Sequence, residues 1–131
     1  MSIKTVLKMG DPALLKRSQE VIDFNTSELD ELIQDMKDTM LHMNGAGIAA
    51  PQIGALKRVV IFGFESNERY PDESAVPYTI LINPEIEALN DEMEEGIEGC
   101  LSVPGLSGSV PRFINIRYKG QDQKGGVIDR V

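Results

Sequence analysis

Asn25-Thr26-Ser27-Glu28-Leu29-Asp30-Glu31-Leu32-Ile33-Gln34-Asp35-Met36-Lys37-Asp38-Thr39-Met40-Leu41-His42-Met43-Asn44-Gly45 is the stretch that decides the fold. It opens on capping residues followed by acids, which favour the start of a helix. Leu29, Leu32, Ile33, Met36, Met40 and Met43 then recur at helical spacing and make one apolar stripe. The pattern predicts a helix from about residue 25 to Asn44, stopped by Gly45. Methionine fills irregular core gaps well, so the Met-rich face reads as core packing and not as a ligand groove. His42, the one histidine of the chain, projects away from the stripe and reads as a surface residue.

Downstream, Gly45-Ala46-Gly47-Ile48-Ala49-Ala50-Pro51-Gln52 and the residues to Gly54 look too small and glycine-rich for a strand interior. Pro51 blocks a helix. Two readings stay open from these residues alone. One is a tight turn whose glycines supply positive φ. The other is a surface where small residues let a bound backbone come close and Gln52 offers an amide donor.

Beyond it, Arg58–Phe64 is β-branched and apolar, as a buried strand would be. Residues 65–77 are proline- and acid-rich and predict a polar surface loop. Tyr78–Asn83 predicts a second strand closed by Pro84, and Glu85–Leu89 alternates as a half-exposed third. Gly105–Ser109 reads as a loop and Phe113–Tyr118 as another strand. Gly120–Gly126 is turn material, so Val127–Val131 should return as a hairpin. Upstream, residues 1–24 form an irregular arm, with a short helical turn at Pro12 capped by Asp11. The expected fold class is α+β, one long helix packed on a twisted, mainly antiparallel sheet. The helix stripe should share a core with Val59–Phe64 and Ile80–Ile82.

The 131 residues are of a size for a single domain. A net charge of −8 with no basic run argues against nucleic acid as a partner. No apolar run approaches the ~18 residues of a membrane span, and no signal-peptide core follows Met1. One cysteine makes no internal disulfide, which suits a reducing, cytoplasmic setting.

That cysteine lies in Glu95-Gly96-Ile97-Glu98-Gly99-Cys100-Leu101-Ser102-Val103-Pro104. A lone thiol in such a chain is ordinarily an inert small hydrophobe. Glu95 and Glu98 read as solvated acids, since no partner chemistry accompanies them as an acid–base pair. Taken with Gly45–Gln52 roughly fifty residues earlier, the stretch resembles a known pair of motifs. The peptide deformylases carry G-x-G-(aliphatic)-A-A-x-Q and then E-G-C-L-S, and every fixed position is matched here. Val6-Leu7-Lys8-Met9-Gly10-Asp11-Pro12 is also similar to the way many of them begin.

The resemblance implies a metal-dependent hydrolase that removes the N-formyl group from formyl-methionyl nascent peptides. It implies Fe²⁺ in the cell, commonly replaced by Zn²⁺ or Ni²⁺ in purified samples. It assigns Cys100 as the thiolate ligand. Gln52 and the backbone N–H of Leu101 become the groups that hold the formyl oxygen as charge develops on it. Gly45, Gly47, Ile48 and Gly99 become substrate-binding, with Ile48 near the methionine side-chain pocket. Glu98 is expected to pair with Arg112 and fix the loop.

In one respect the sequence departs from the family: these residues contain no H-E-x-x-H, the helical motif that supplies two histidine ligands and the glutamate base. The expectation is a deformylase shortened before that helix, binding no metal tightly and inactive alone. The uncovered sheet surface should then drive self-association. Two alternatives remain: a non-catalytic module binding peptide N-termini, and a small β-rich domain whose cysteine is redox-active or buried.

Overall fold

The computed structural model describes residues 3–64 and 76–131. Helix α1 spans Ser27–His42, and the Thr26 side chain accepts a hydrogen bond from the N–H of Leu29 at its start. Its end differs from the expected glycine stop. Asn44 takes the left-handed conformation (φ 54°), with Asn44 N–H donating to Leu41 O and Gly45 N–H to Met40 O. That is the Schellman arrangement, with asparagine in place of glycine at the left-handed position. Asp11 caps a 3₁₀ turn at Pro12–Leu15, as the sequence predicts.

Gly45–Gly54 is not one tight turn of positive-φ glycines. Gly47–Ala49 is a strand, β1, followed by a 3₁₀ turn at Ala50–Ile53 that ends on Gly54 (φ 88°). β1 pairs antiparallel with β2, Val59–Phe64, matching Gly47 to Phe62 and Ala49 to Val60. Small residues earn this place through close approach: a Cβ on Gly47 would lie 3.3 Å from the carbonyl oxygen of Ile61.

β3 runs unbroken from Val76 to Ala88, so the predicted second and third strands are one, and Pro84 does not close the first. The chain passes the proline through a register shift between Ile82 and Glu85, with Asn83 in the left-handed region (φ 53°). Before the bend β3 pairs with β2, and after it with β6, Ile116–Gln121. The Asn83 side chain holds the bend, donating to Val21 O and Gln121 Oε1 and accepting from Val21 N–H. The polar loop expected over residues 65–77 falls outside the described residues, except that Val76 and Pro77 already belong to β3.

β7, Val127–Arg130, returns on β6 as the expected hairpin, and the five-stranded sheet has the order β1-β2-β3-β6-β7. A separate two-stranded ribbon pairs β4, Met93–Cys100, with β5, Val103–Phe113. The loop expected at Gly105–Ser109 is therefore part of a strand. The strand expected over Phe113–Tyr118 is interrupted, because Phe113 ends β5 and β6 begins at Ile116. Among the described residues the ladders are antiparallel, which with one α-helix makes the fold α+β.

Leu29, Ile33, Met36 and Met40 bury the helix stripe against Ile48, Ala50, Val59, Ile61 and Ile82. Each such large side chain contributes about 1.5–3 kcal/mol by leaving water. The core thus joins the helix to β1, β2 and the first half of β3, as the periodicity predicts. It also makes a rigid platform directly beneath residues 45–52.

Candidate active site

The two sequence motifs meet at the turn end of the ribbon. Cys100 is the last residue of β4, and Leu101 and Ser102 form the turn into β5. Cys100 is solvent-exposed, whereas Leu101 and Ser102 are buried. Gly45 lies against this turn: a Cβ there would come within 2.9 Å of Leu101 Cδ1. The absence of a side chain at 45 is what lets Leu101 seat itself.

Gln52 occupies the 3₁₀ turn after β1, and its amide orientation is determined by its partners. Oε1 accepts from the N–H of Ala49 at 2.9 Å. A backbone N–H donates and never accepts, so the oxygen must face Ala49 and the NH₂ must face the other way. There Nε2 lies 3.1 Å from Ser102 Oγ and 3.7 Å from Cys100 Sγ. A donor is thereby aimed at the space beside an exposed thiol.

A third segment, which the motif reading missed, ties the two together. Leu7 N–H donates to Gln52 O at 2.7 Å, and Met9 N–H donates to Ser102 O at 2.8 Å. Neighbouring positions of the N-terminal arm thus fix the main chain on both sides of the site. Ser102 was also overlooked as an individual residue. Its signal was its fixed place in the E-G-C-L-S motif.

Gly47 and Ile48 are in β1, at one edge of the large sheet. The Ile48 side chain points into the core, so what β1 offers a ligand at that position is backbone. An edge strand is a ready template for an extended peptide. On the ribbon side a shallow cleft of about 280 Å³ is lined by Glu98, Gly99, Cys100, Val103, Leu106 and Val110. A larger cavity, about 750 Å³, lies between the arm and α1, with Val21, Leu29, Leu32 and Lys57 in its walls. None of the sequence-predicted site residues line it, whereas Gly99 and Cys100 line the smaller cleft.

Glu98 and Arg112 face each other across the ribbon in a two-pronged pair, Nε to Oε2 at 2.9 Å and Nη2 to Oε1 at 2.8 Å. The hydrogen bonds from Arg112 hold the Glu98 carboxyl below its usual range. The pair ties β4 to β5 and favours the ionised form of Glu98. Ser109 Oγ donates to Glu95 Oε2 at 3.2 Å, and both are exposed.

The polypeptide deformylase family model matches residues 3–130. The chain belongs to the peptide deformylase family. It is 57% identical over 129 residues to peptide deformylase 1 of Nitrosomonas europaea, covering 98% of this chain and 73% of that protein. Peptide deformylase 2 of Ralstonia nicotianae is 60% identical with the same coverage. Among solved structures, the Met-Ala-Ser-bound class I type b peptide deformylase from Acinetobacter baumannii superposes with a TM-score of 0.92 at 38% identity. It covers 98% of this chain and 83% of that one.

Deformylases are metal-dependent, and the donor set of these residues can be tested against that requirement. Cys100 fits one position of a ligand set, being exposed and at the mouth of the cleft. The set is not filled: among the described residues no group of three His, Cys, Asp or Glu side chains could hold a metal. His42 is an exposed residue in the last turn of α1. A catalytic zinc-type site uses three protein ligands, so these residues alone do not fit the metal. No helix among the described residues is long and apolar enough to cross a membrane.

Proposed function

We propose that residues 45–52 and 98–102 form the formyl-methionyl-peptide site of a deformylase, with Gln52 and the backbone N–H of Leu101 as donors to the formyl oxygen. The fixed orientation of the Gln52 amide beside Cys100 carries this reading. Preorganised donors aimed at a developing oxyanion stabilise it without having to reorganise, and each is worth about 10²–10³ in rate. Gly45, Gly47, Ile48 and Gly99 line the path of the peptide, which extends along the edge of β1. Cys100 is the thiolate ligand, to Fe²⁺ in the cell and to Zn²⁺ or Ni²⁺ in purified samples. The substrate, a formylated nascent chain, implies cytoplasmic action.

One observation favours a second reading for the 131 residues taken alone. The incomplete donor set leaves peptide binding without hydrolysis. The test is to assay formyl-Met-Ala with the 131-residue protein and with the same protein continued by a family-like H-E-x-x-H stretch. We expect no measurable hydrolysis and well under one metal per chain from the first, and both metal and hydrolysis from the second. A Cys100→Ala version of the extended protein should lose both. Metal uptake without hydrolysis would overturn the roles of Gln52 and the glycines. Activity in the 131-residue protein would overturn the account of its missing ligands. The exposed ribbon also predicts self-association, which light scattering across a concentration series would detect.

A further inference from the structure

Gln52 is useful as a donor only if its NH₂ stays aimed, and one anchor on its oxygen does not achieve that. With Oε1 on Ala49 N–H alone, the amide plane can still swing about that contact. The second anchor is Ser102 Oγ, 3.1 Å from Nε2. An NH₂ group has two protons set apart by the planar amide. If the hydroxyl takes one, the direction of the other is fixed, and Cys100 Sγ at 3.7 Å shows where it points.

Ser102 is suited to this task. It is buried, so water does not compete strongly for its oxygen. Its main chain is held by Met9 N–H, while the main chain of Gln52 is held by Leu7 N–H. Because both anchors come from nearby positions of the same arm, the main chains of Gln52 and Ser102 are held at a fixed separation that the two side chains then span. A hydroxyl also accepts without bringing charge beside the thiol. An acid at 102 would instead compete for the donor.

We propose that Ser102 is a positioning residue, whose hydroxyl takes one N–H of Gln52 and so aims the other at the formyl oxygen of the peptide. It rests on the assignment of Gln52 as the oxygen-holding donor, and it is separable from that assignment by experiment.

The decisive measurement is side-chain amide NMR of Gln52 in the 131-residue protein, combined with titration of formyl-Met-Ala. In the unsubstituted protein one of the two amide protons should exchange with solvent more slowly than the other. The slower-exchanging one should show a nuclear Overhauser contact to the Ser102 β protons. Ser102→Ala should speed exchange of that proton about 3- to 10-fold, the loss expected for one hydrogen bond, and weaken peptide binding. Ser102→Thr, which keeps the hydroxyl, should restore both. Protected amides at Leu7 and Met9 in each variant show that the arm is still docked. If Ser102→Ala fails to fold, the unsubstituted protein still decides: two amide protons that exchange equally fast, with no contact to the Ser102 β protons, would overturn the proposal. So would a Ser102→Ala variant that folds with unchanged Gln52 exchange. Gln52→Ala separates the two ideas. If it leaves peptide binding unaltered, the donor assignment of Gln52 fails. If it weakens binding while Ser102→Ala changes nothing, only the positioning role fails.

Discussion

The five-stranded sheet and the β4–β5 ribbon are built from the same kind of antiparallel ladder, yet they bury very different surfaces. The sheet packs a helix, and its central side chains are sealed: Met36 and Ile82 are 0% exposed. The ribbon packs chiefly on itself, and Ile97, Leu106 and Phe113 remain in solvent. An isolated two-stranded ribbon is marginal in water. The sheet therefore provides the stability, and the ribbon carries the thiol. Gln52 comes from the stable part and Cys100 from the weak one, so the site lies on the seam between them.

The largest expected contrast is in core truncation. Met36→Ala should cost about 2–5 kcal/mol, while Ile97→Ala, at a residue 66% exposed, should stay within about 0.5 kcal/mol. Urea denaturation of both variants checks this. Equal losses would mean that the ribbon is packed in solution in a way its exposure does not show.

Glycines give a second contrast. A Cβ at Gly120 would sit 2.7 Å from Ile82 O, where β6 crosses the bend of β3. Gly120→Ala should therefore destabilise by about 1–3 kcal/mol through overpacking. A Cβ at Gly108, in the ribbon, meets nothing within 4 Å. Gly108→Ala should be neutral or slightly stabilising, because it removes freedom from the unfolded chain. Thermal melts of the pair would sharpen the distinction.

These contrasts also explain what the sequence revealed and what it hid. Helix α1 was legible because its signal is periodic and local, from the Thr26 cap to the Met40 stripe. The hairpin of β6 and β7 was legible because its turn is rich in glycine. β1 was not, since Gly47 and Ala49 have little strand preference and become a strand only by pairing with Val60 and Phe62. The ribbon was missed for a related reason: acids and glycines in Met93–Cys100 give no apolar alternation to read. Pro84 misled because a register shift and Asn83 carry the strand past it. At the site, Gln52 and Cys100 were marked by their motifs. The anchoring by Leu7, Met9 and Ser102 was not, as hydrogen bonds between distant segments leave no periodic trace.

A smaller effect separates the ribbon by pH. The Glu98 carboxyl is held below its usual range when folded, so its pair with Arg112 adds stability above the unfolded glutamate value near 4.3. That addition is lost as pH falls through the lower folded value. An exposed pair contributes only about 0.2–1 kcal/mol. Arg112→Gln should thus lower the melting temperature slightly at pH 7 and leave it unchanged near pH 2, with the difference closing below about pH 4. A comparably small effect belongs to Arg117 and Asp129, which pair across β6 and β7 with both side chains partly exposed. Arg117→Gln should shift the same melts about as little as Arg112→Gln does. A sizeable loss there would show that the hairpin edge is covered by another chain.

The arm that clamps the site has a consequence for how the protein comes into being. Met9 is made well before its acceptor, the carbonyl of Ser102, which lies 93 residues further along the chain. At ~5–20 residues per second of synthesis, Met9 waits roughly 5–20 s for its partner to exist, and longer for it to leave the ribosome. Throughout that interval the helix and β2 can already assemble, and Leu7 can already meet Gln52, while Met9 still lacks its acceptor. The candidate site is therefore dated by its own hydrogen bonds: it closes only after the helix and β2 can already be in place.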